Sequence, residues 1–193
     1  MLSALQAFVK PLLLITLTLA YCATALPAAT LERLSLDDMI RQSTTVVRGK
    51  VLSSYSSTSG PVIFTNYRIQ VTETLKGAAA ASVDIQMPGG VANHLRQSFA
   101  GVPQLNAGDE FVFFLWSGKS GTVQVIGLTQ GLFSVGKDSS TDPLLTRNAS
   151  HEVMLEPKTG KQVQDQALSM HLSDLRMHIG TTLASATSQR TAK

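Results

Sequence analysis

The stretch FTNYRIQVTETL, residues 64–75, alternates between apolar and polar side chains. Successive side chains of a β-strand point to opposite faces, so this alternation predicts a strand with one buried face and one face in solvent. Antiparallel sheets commonly have faces of this kind. The predicted buried face carries Tyr67, Ile69, Val71 and Leu75.

Further strands are predicted on both sides of this stretch. Residues 45–52 are partly alternating and β-branched, whereas residues 111–116, FVFFLW, form a continuous apolar run. Such a run is typical of a strand that is covered on both faces. The serine-rich residues 53–60 are predicted to form a flexible loop. Shorter strands are predicted at residues 83–87, 123–126, 132–135 and 153–155.

A short helix is predicted near each end of the domain. Ser35 can cap a helix whose first turn holds Asp37 and Asp38, where the helix dipole favours negative charge. A second helix is predicted from Ser173, with an apolar stripe formed by Leu172, Leu175 and Ile179. Residues 184–193 are predicted to be a disordered tail.

These elements predict a mainly β fold, a small OB-like antiparallel barrel with a short helix near each end. The barrel-like domain is expected to span residues 26–183. Gly49 and Gly90 suit the bends that closure of a barrel requires. A glycine inside a strand also marks a close approach of backbone, which is the other interpretation of Gly49.

Residues 1–25 have the features of a signal peptide. Lys10 is the only charged residue among them, and the uncharged apolar run of residues 11–25 is 15 residues long. A membrane-spanning helix needs about 20 apolar residues, so the run is short for an anchor. Ala23 and Ala25 supply the small residues that a signal peptidase requires. The chain is therefore expected to be exported, either to a periplasm or outside the cell.

The composition narrows the possible chemistry of the mature chain. Cys22 is the only cysteine and lies within the predicted signal, so the mature chain would have neither a disulfide nor a thiolate zinc site. Without Lys10, 15 of the 16 basic residues remain against 13 acidic residues. This balance contains no dense basic stripe and disfavours nucleic acid as a partner.

Parts of the sequence resemble known families. The strings VVRGKV at 46–51 and YRIQVTETLKG at 67–77 resemble the opening strands of netrin-like domains, which include the tissue inhibitors of metalloproteases. A second resemblance, to a family of uncharacterised secreted bacterial proteins, spans residues 34–137. Its further strings are PGG at 88–90, GVP at 101–103, GDEFVFFL at 108–115 and GLTQG at 127–131.

The netrin-like resemblance implies a five-stranded OB-type barrel with terminal helices. The metalloprotease inhibitors of that group reach the target's zinc through an N-terminal cysteine, which the mature chain would lack. The resemblance therefore brings no inhibitory mechanism and no site residue to this chain.

The sequence contains no recognisable catalytic, cofactor-binding or metal-binding motif. His171 and His178 are seven residues apart, but their spacing to a third ligand matches no zinc pattern. A small secreted hydrolase would need a site assembled only in three dimensions, for which the candidates are Asp84, His94, Glu110 and His151. No cofactor is expected.

Aromatic residues near loops offer a possible ligand surface, as they do on OB barrels. The candidates are Tyr55, Phe64, Phe99 and Trp116. Packing in the core or at its rim is the alternative role for these rings.

Taken together, these features predict a secreted non-catalytic binding or accessory module whose partner is a periplasmic or extracellular protein or polymer. The small secreted hydrolase is one alternative. The other is an accessory domain tethered to the membrane by an uncleaved signal, which is the only membrane association expected.

The signal prediction can be tested directly. We expect cleavage after Ala25, with Ala28 or Ala29 as alternative sites, which leaves a mature chain of about 168 residues. Mass spectrometry of the exported form identifies its N-terminus. An exported form that still begins at Met1 would instead support the tethered domain.

Overall fold

The structure, a computed structural model, describes residues 30–137, 140–150 and 152–191. The predicted signal peptide, with Cys22 and the cleavage site at Ala25, lies outside the described residues. The elements are β1 (Thr30–Glu32), α1 (Leu36–Gln42), β2 (Thr45–Ser59), β3 (Val62–Lys76), β4 (Ser82–Pro88), β5 (Gly90–Ala92), β6 (Leu95–Gln97), β7 (Glu110–Ser117), β8 (Val123–Val125), a 3₁₀ turn (Leu128–Gly131), β9 (Leu132–Val135), β10 (Leu144–Arg147), β11 (Val153–Leu155), β12 (Gln162–Val163), β13 (Leu168–His171) and α2 (Leu172–Thr191).

Most strands belong to one antiparallel sheet. Its order is β13-β10-β9-β7-β2-β3-β4, and β8 pairs with β7 outside this path. Strand β7 pairs with β2 along one edge, while its other edge pairs first with β9 and then with β8. The sheet therefore divides at β7. The strands β1, β11 and β12 form a second sheet, and β5 and β6 form a hairpin.

Alternating side chains of the central strands supply two hydrophobic cores, one on each face of the sheet. On β7, Val112 and Phe114 enter the core beside the two helices, whereas Phe113 and Leu115 enter the core bounded by β3, β4 and β8. All four residues are at most 1% exposed. The prediction that this run is covered on both faces is confirmed.

The mainly β architecture with a helix near each end is confirmed, whereas a closed barrel is not observed. Within the described residues, no strand pairing joins β4 to β8, although Met87 of β4 and Val125 of β8 share one core. The five strands β7, β2, β3, β4 and β8 thus surround a common core. The edges of β4 and β8 do not pair, so these strands do not close into a barrel.

The helix α1 begins as the sequence predicts. Ser35 Oγ accepts from the backbone N–H of Asp38 at 3.1 Å, and the Asp38 carboxylate accepts from the backbone N–H of Ser35 at 3.3 Å. This reciprocal capping box satisfies two N–H groups that the first turn leaves unpaired.

At the other end of α1, Lys76 Nζ donates to the carbonyls of Ile40 and Ser43, and burial lowers the pKa of Lys76.

The prediction of a loop at residues 53–60 is wrong. Strand β2 continues to Ser59, and β3 pairs with it as far as Val62, so the two strands form one long hairpin. Serine has little strand preference of its own, but β3 supplies the partner for its backbone. Asn66 Nδ2 also donates to Ser57 Oγ across the hairpin at 2.7 Å.

The helix α2 also extends further than the sequence predicts, because it includes residues 184–191 of the expected disordered tail. Hydroxyl groups in this segment donate to carbonyls one turn earlier, as from Ser185 to Thr181 at 2.9 Å and from Thr187 to Leu183 at 3.1 Å. These bonds satisfy polar side chains within the helix. Neither helix of the described residues contains a stretch with the length and hydrophobicity needed to span a bilayer.

Gly49 marks a close approach of β2 to β3. A Cβ at this position would lie 2.6 Å from Ile69 Cγ2 and 2.7 Å from the Gln70 carbonyl oxygen. The pairing register also shifts between Arg48 and Gly49. Gly90 is similarly constrained, since its φ is 140° and a Cβ would lie 2.6 Å from Thr65 Oγ1.

We expect Gly49→Ala to destabilise the protein by about 1–3 kcal/mol, because the added methyl group overpacks a strand contact that includes backbone. Gly180→Ala is the matched control. Nothing lies within 4 Å of a Cβ at Gly180 on α2, and alanine favours a helix by about 0.5–1 kcal/mol over glycine. Urea unfolding measures both. Equal effects of the two substitutions would contradict the assigned strand contact.

Candidate functional site

One cavity of about 320 Å³ lies beside β9 and β10. The 3₁₀ turn, the segment at Gly101 and the segment that follows β10 complete its wall. Its lining combines apolar with polar and charged side chains. The lining includes Gly101, Thr129, Leu132, Arg147, Ser150 and Glu152.

Arg147, the last residue of β10, is the central charged group of this wall. It is only 6% exposed. Its Nη2 donates to Asp165 Oδ1 at 2.9 Å and to the Gln166 carbonyl at 2.7 Å. The Asp165 side chain is only 3% exposed, and its Oδ2 accepts from the backbone N–H of Ser150 at 2.8 Å. This network fixes the guanidinium and joins β10 to two neighbouring segments.

Four buried side-chain atoms of the described residues make no hydrogen bond, and all of them belong to residues that line this cavity. They are Arg147 Nε, Arg147 Nη1, Glu152 Oε2 and Thr129 Oγ1. A buried polar atom without a partner costs about 1–3 kcal/mol, and more if it is charged. Native proteins contain few such atoms, and a functional role is one established reason for them.

Local backbone geometry positions the other members of the wall. Glu152 follows a turn in which its backbone N–H donates to Ser150 Oγ at 3.1 Å. Its side chain lies over Gly101, where a Cβ would be 2.9 Å from Glu152 Cγ. Gly101 has a φ of 74°, so any other residue here would be strained as well as crowded.

Sequence reasoning missed this site. Arg147 and Glu152 match no motif, and Thr129 is separated from them by 18 residues or more. The available signal was the short segment LLTR at 144–147, in which an arginine occupies an inward-facing position of an alternating strand. A buried arginine requires a partner, but the sequence does not identify Asp165 as that partner.

The four predicted ligand-surface aromatic residues are not brought together as one groove. Phe64 and Trp116 line the same open depression, together with Gln86 and Gln124. Tyr55 is 57% exposed on the β2–β3 hairpin. Phe99 lines a different groove, beside the turn at Gly89.

The hydrolase candidates are distributed over separate elements. Asp84 on β4 pairs with Arg68 at 2.8 Å, and this hydrogen-bonded partner lowers the pKa of Asp84. Glu110 on β7 pairs with Arg48 at 2.6 Å. Three strand spacings separate Asp84 from Glu110, or about 14 Å along the sheet.

The histidines do not complete a catalytic or metal-binding group in the described residues. His94 lies in the turn between β5 and β6 with a φ of 63°, and His151 lies outside the described residues. His178 contacts Asp37 at 2.7 Å, and this bond, with one from Thr182, lowers the pKa of Asp37. No three His, Cys, Asp or Glu residues in the described ranges converge as metal ligands would.

Comparison with protein-family models, with curated proteins and with solved structures finds no significant match to this chain. The netrin-like resemblance therefore stays a prediction. The function must be argued from the site itself.

The buried ion pair makes a prediction about stability. We expect Asp165→Asn to destabilise the protein by about 3–5 kcal/mol, because it leaves the Arg147 charge buried without its counter-ion. Asp84→Asn is the matched control, since the Arg68–Asp84 pair is largely exposed and such pairs contribute little. Urea unfolding of both variants tests the difference. A small effect of Asp165→Asn would show that Arg147 does not depend on this carboxylate.

Proposed function

We propose that this chain is an exported, non-catalytic binding module whose ligand occupies the cavity at Arg147. The observation that carries the proposal is the concentration of unpartnered buried atoms there. A ligand that supplied their missing hydrogen bonds would recover free energy that the folded chain gives up without it.

Arg147, the central charged group of the wall, suits binding rather than proton transfer. An arginine side chain remains protonated in proteins, so Arg147 can donate hydrogen bonds but cannot act as a general base. The described hydrolase candidates Asp84 and Glu110 are each held by an arginine on the sheet, away from this cavity. Fixed donors on a rigid strand are typical of recognition sites.

The size of the cavity favours a small molecule. Ligand pockets commonly measure about 300–1,000 Å³, so a volume of about 320 Å³ is at the lower end of this range. The protein or polymer partner expected from the sequence would need a larger contact surface. The proposed module therefore captures a small polar compound in the periplasm or outside the cell.

Export is supported by the N-terminal sequence. The single charge at Lys10, the apolar run and the small residues at Ala23 and Ala25 match a secretory signal. A domain that functions after export without a disulfide depends on its packed core for stability.

The proposal is tested by ligand-induced stabilisation. The purified chain is screened by thermal melting against a library of small polar metabolites. A ligand present at 100 times its Kd adds about 2.7 kcal/mol to the free energy of unfolding, and the melting temperature rises with its concentration.

Paired variants locate the binding site. We expect Glu152→Gln to reduce the stabilisation and Glu156→Gln to leave it unchanged, because Glu156 is exposed and its carboxylate accepts from Thr159 outside this cavity. Equal stabilisation of both variants would place the ligand elsewhere. Chemical conversion of the bound compound by the chain would contradict a non-catalytic role.

A further inference from the structure

We infer that the ligand of this cavity is a small zwitterion of the α-amino acid type, with its carboxylate on Arg147 and its ammonium group on Glu152. The inference rests on the proposed function and assigns the chemical class of the ligand.

The first element is the set of free donors on Arg147. A guanidinium carries five N–H groups, one on Nε and two on each terminal nitrogen. Nη2 is engaged with Asp165 and Gln166, whereas Nε and Nη1 have no partner. Three N–H groups on a buried cation thus lack an acceptor. A carboxylate is the acceptor that forms the strongest hydrogen bonds with such donors.

The second element is the free acceptor on Glu152. Its Oε2 is closed off from solvent and has no partner in the structure. A carboxylate oxygen accepts hydrogen bonds only, so it requires a donor from the ligand. An ammonium group offers three donors and the opposite charge. Thr129 Oγ1, which is also unpartnered, can donate to the ligand's carboxylate or accept from its ammonium group.

A simple anion or a simple cation fits the charges around the cavity less well than a zwitterion does. Arg147 and Asp165 neutralise each other, so Glu152 leaves the described charges around the cavity at a net −1. A simple anion would satisfy Arg147 but would add a second negative charge near Glu152. A simple cation would satisfy Glu152 but would leave the Arg147 donors unpaired. A zwitterion satisfies both groups and adds no net charge.

Size and lining agree with an amino acid rather than a longer peptide. The cavity volume is about 320 Å³, near the minimum of small-molecule sites. Val102, Leu132 and Ala149 add apolar surface to the wall. An aliphatic side chain would bury its surface there while the two charged groups bind Arg147 and Glu152.

The experiment compares three series of compounds by isothermal titration calorimetry on the purified full chain. The first series is the set of L-α-amino acids with aliphatic side chains. The second has the same carbon skeletons without the amino group, and the third has them without the carboxylate. We expect the amino acids to bind at least tenfold more tightly than either matched series.

The Glu152→Gln variant separates recognition of the ammonium group from the rest of the site. We expect it to weaken amino-acid binding at least tenfold and to leave binding of the deaminated acids unchanged or stronger, because a negative charge has been removed. Glu156→Gln, the same change on an exposed neighbour, is expected to leave both affinities unaltered. Arg147→Lys keeps the charge but loses the planar donor set, and should weaken acids and amino acids alike.

The possible outcomes separate this inference from the function it depends on. Tight binding of sugars or other uncharged compounds at this cavity, without amino acids, would overturn the zwitterion and leave the binding module standing. Amino-acid binding that Glu152→Gln does not change would also overturn it. If the folded chain bound none of the three series and nothing in the metabolite library, both proposals would fail. Circular dichroism confirms that each variant is folded before its affinity is interpreted.

Discussion

Strand β7 is buried on both faces, and the layers of the fold are arranged to cover it. Val112 and Phe114 face the core beside the helices, while Phe113 and Leu115 face the second core. A strand with two buried faces needs covering layers on both sides. The helices α1 and α2 supply one layer, and the strands β3, β4 and β8 supply the other. The fork of β7 toward β8 and β9 lets one strand serve both parts of the sheet.

The candidate site lies at the β9–β10 side of the sheet. Strand β10 is held between β9 and β13, and its last residue is Arg147. Burial of an arginine is costly, and Asp165 with the Gln166 carbonyl offsets only part of its hydrogen-bonding requirement. The donors that remain without a partner, Arg147 Nε and Nη1, therefore lower the stability of the folded chain. The buried, unpartnered oxygens of Thr129 and Glu152 in the same cavity wall lower the stability in the same way.

A rigid, partly unsatisfied site is well suited to recognition. Because Asp165 and the backbone hold the Arg147 guanidinium, a ligand would not have to order that side chain on binding, which saves conformational entropy. Gly101 contributes by leaving room for the Glu152 side chain, since a Cβ there would meet Glu152 at 2.9 Å. These features give the proposed binding function a physical basis that does not depend on resemblance to another protein.

Several elements of the fold were predictable from local sequence pattern alone. The alternation at 64–75 indicated β3, the apolar run at 111–116 indicated β7, and Ser35 with Asp38 indicated the start of α1. Each depends on residues within a few positions of one another, so periodicity and capping chemistry suffice. The full length of β2 was not predictable in this way, because its serine-rich half becomes a strand only when β3 lies beside it.

The candidate site and the unpaired edges of β4 and β8 depend on contacts between distant segments of the chain. Arg147 and Asp165 are 18 positions apart, and Thr129 reaches the same cavity from a separate turn, so no sequence period relates them. Their meeting follows from which strands pair and where each one ends. Likewise, whether the edges of β4 and β8 pair depends on the accumulated curvature of five strands. Local sequence pattern determines which residues of a strand face a core, whereas contacts between distant segments determine which other residues they meet there.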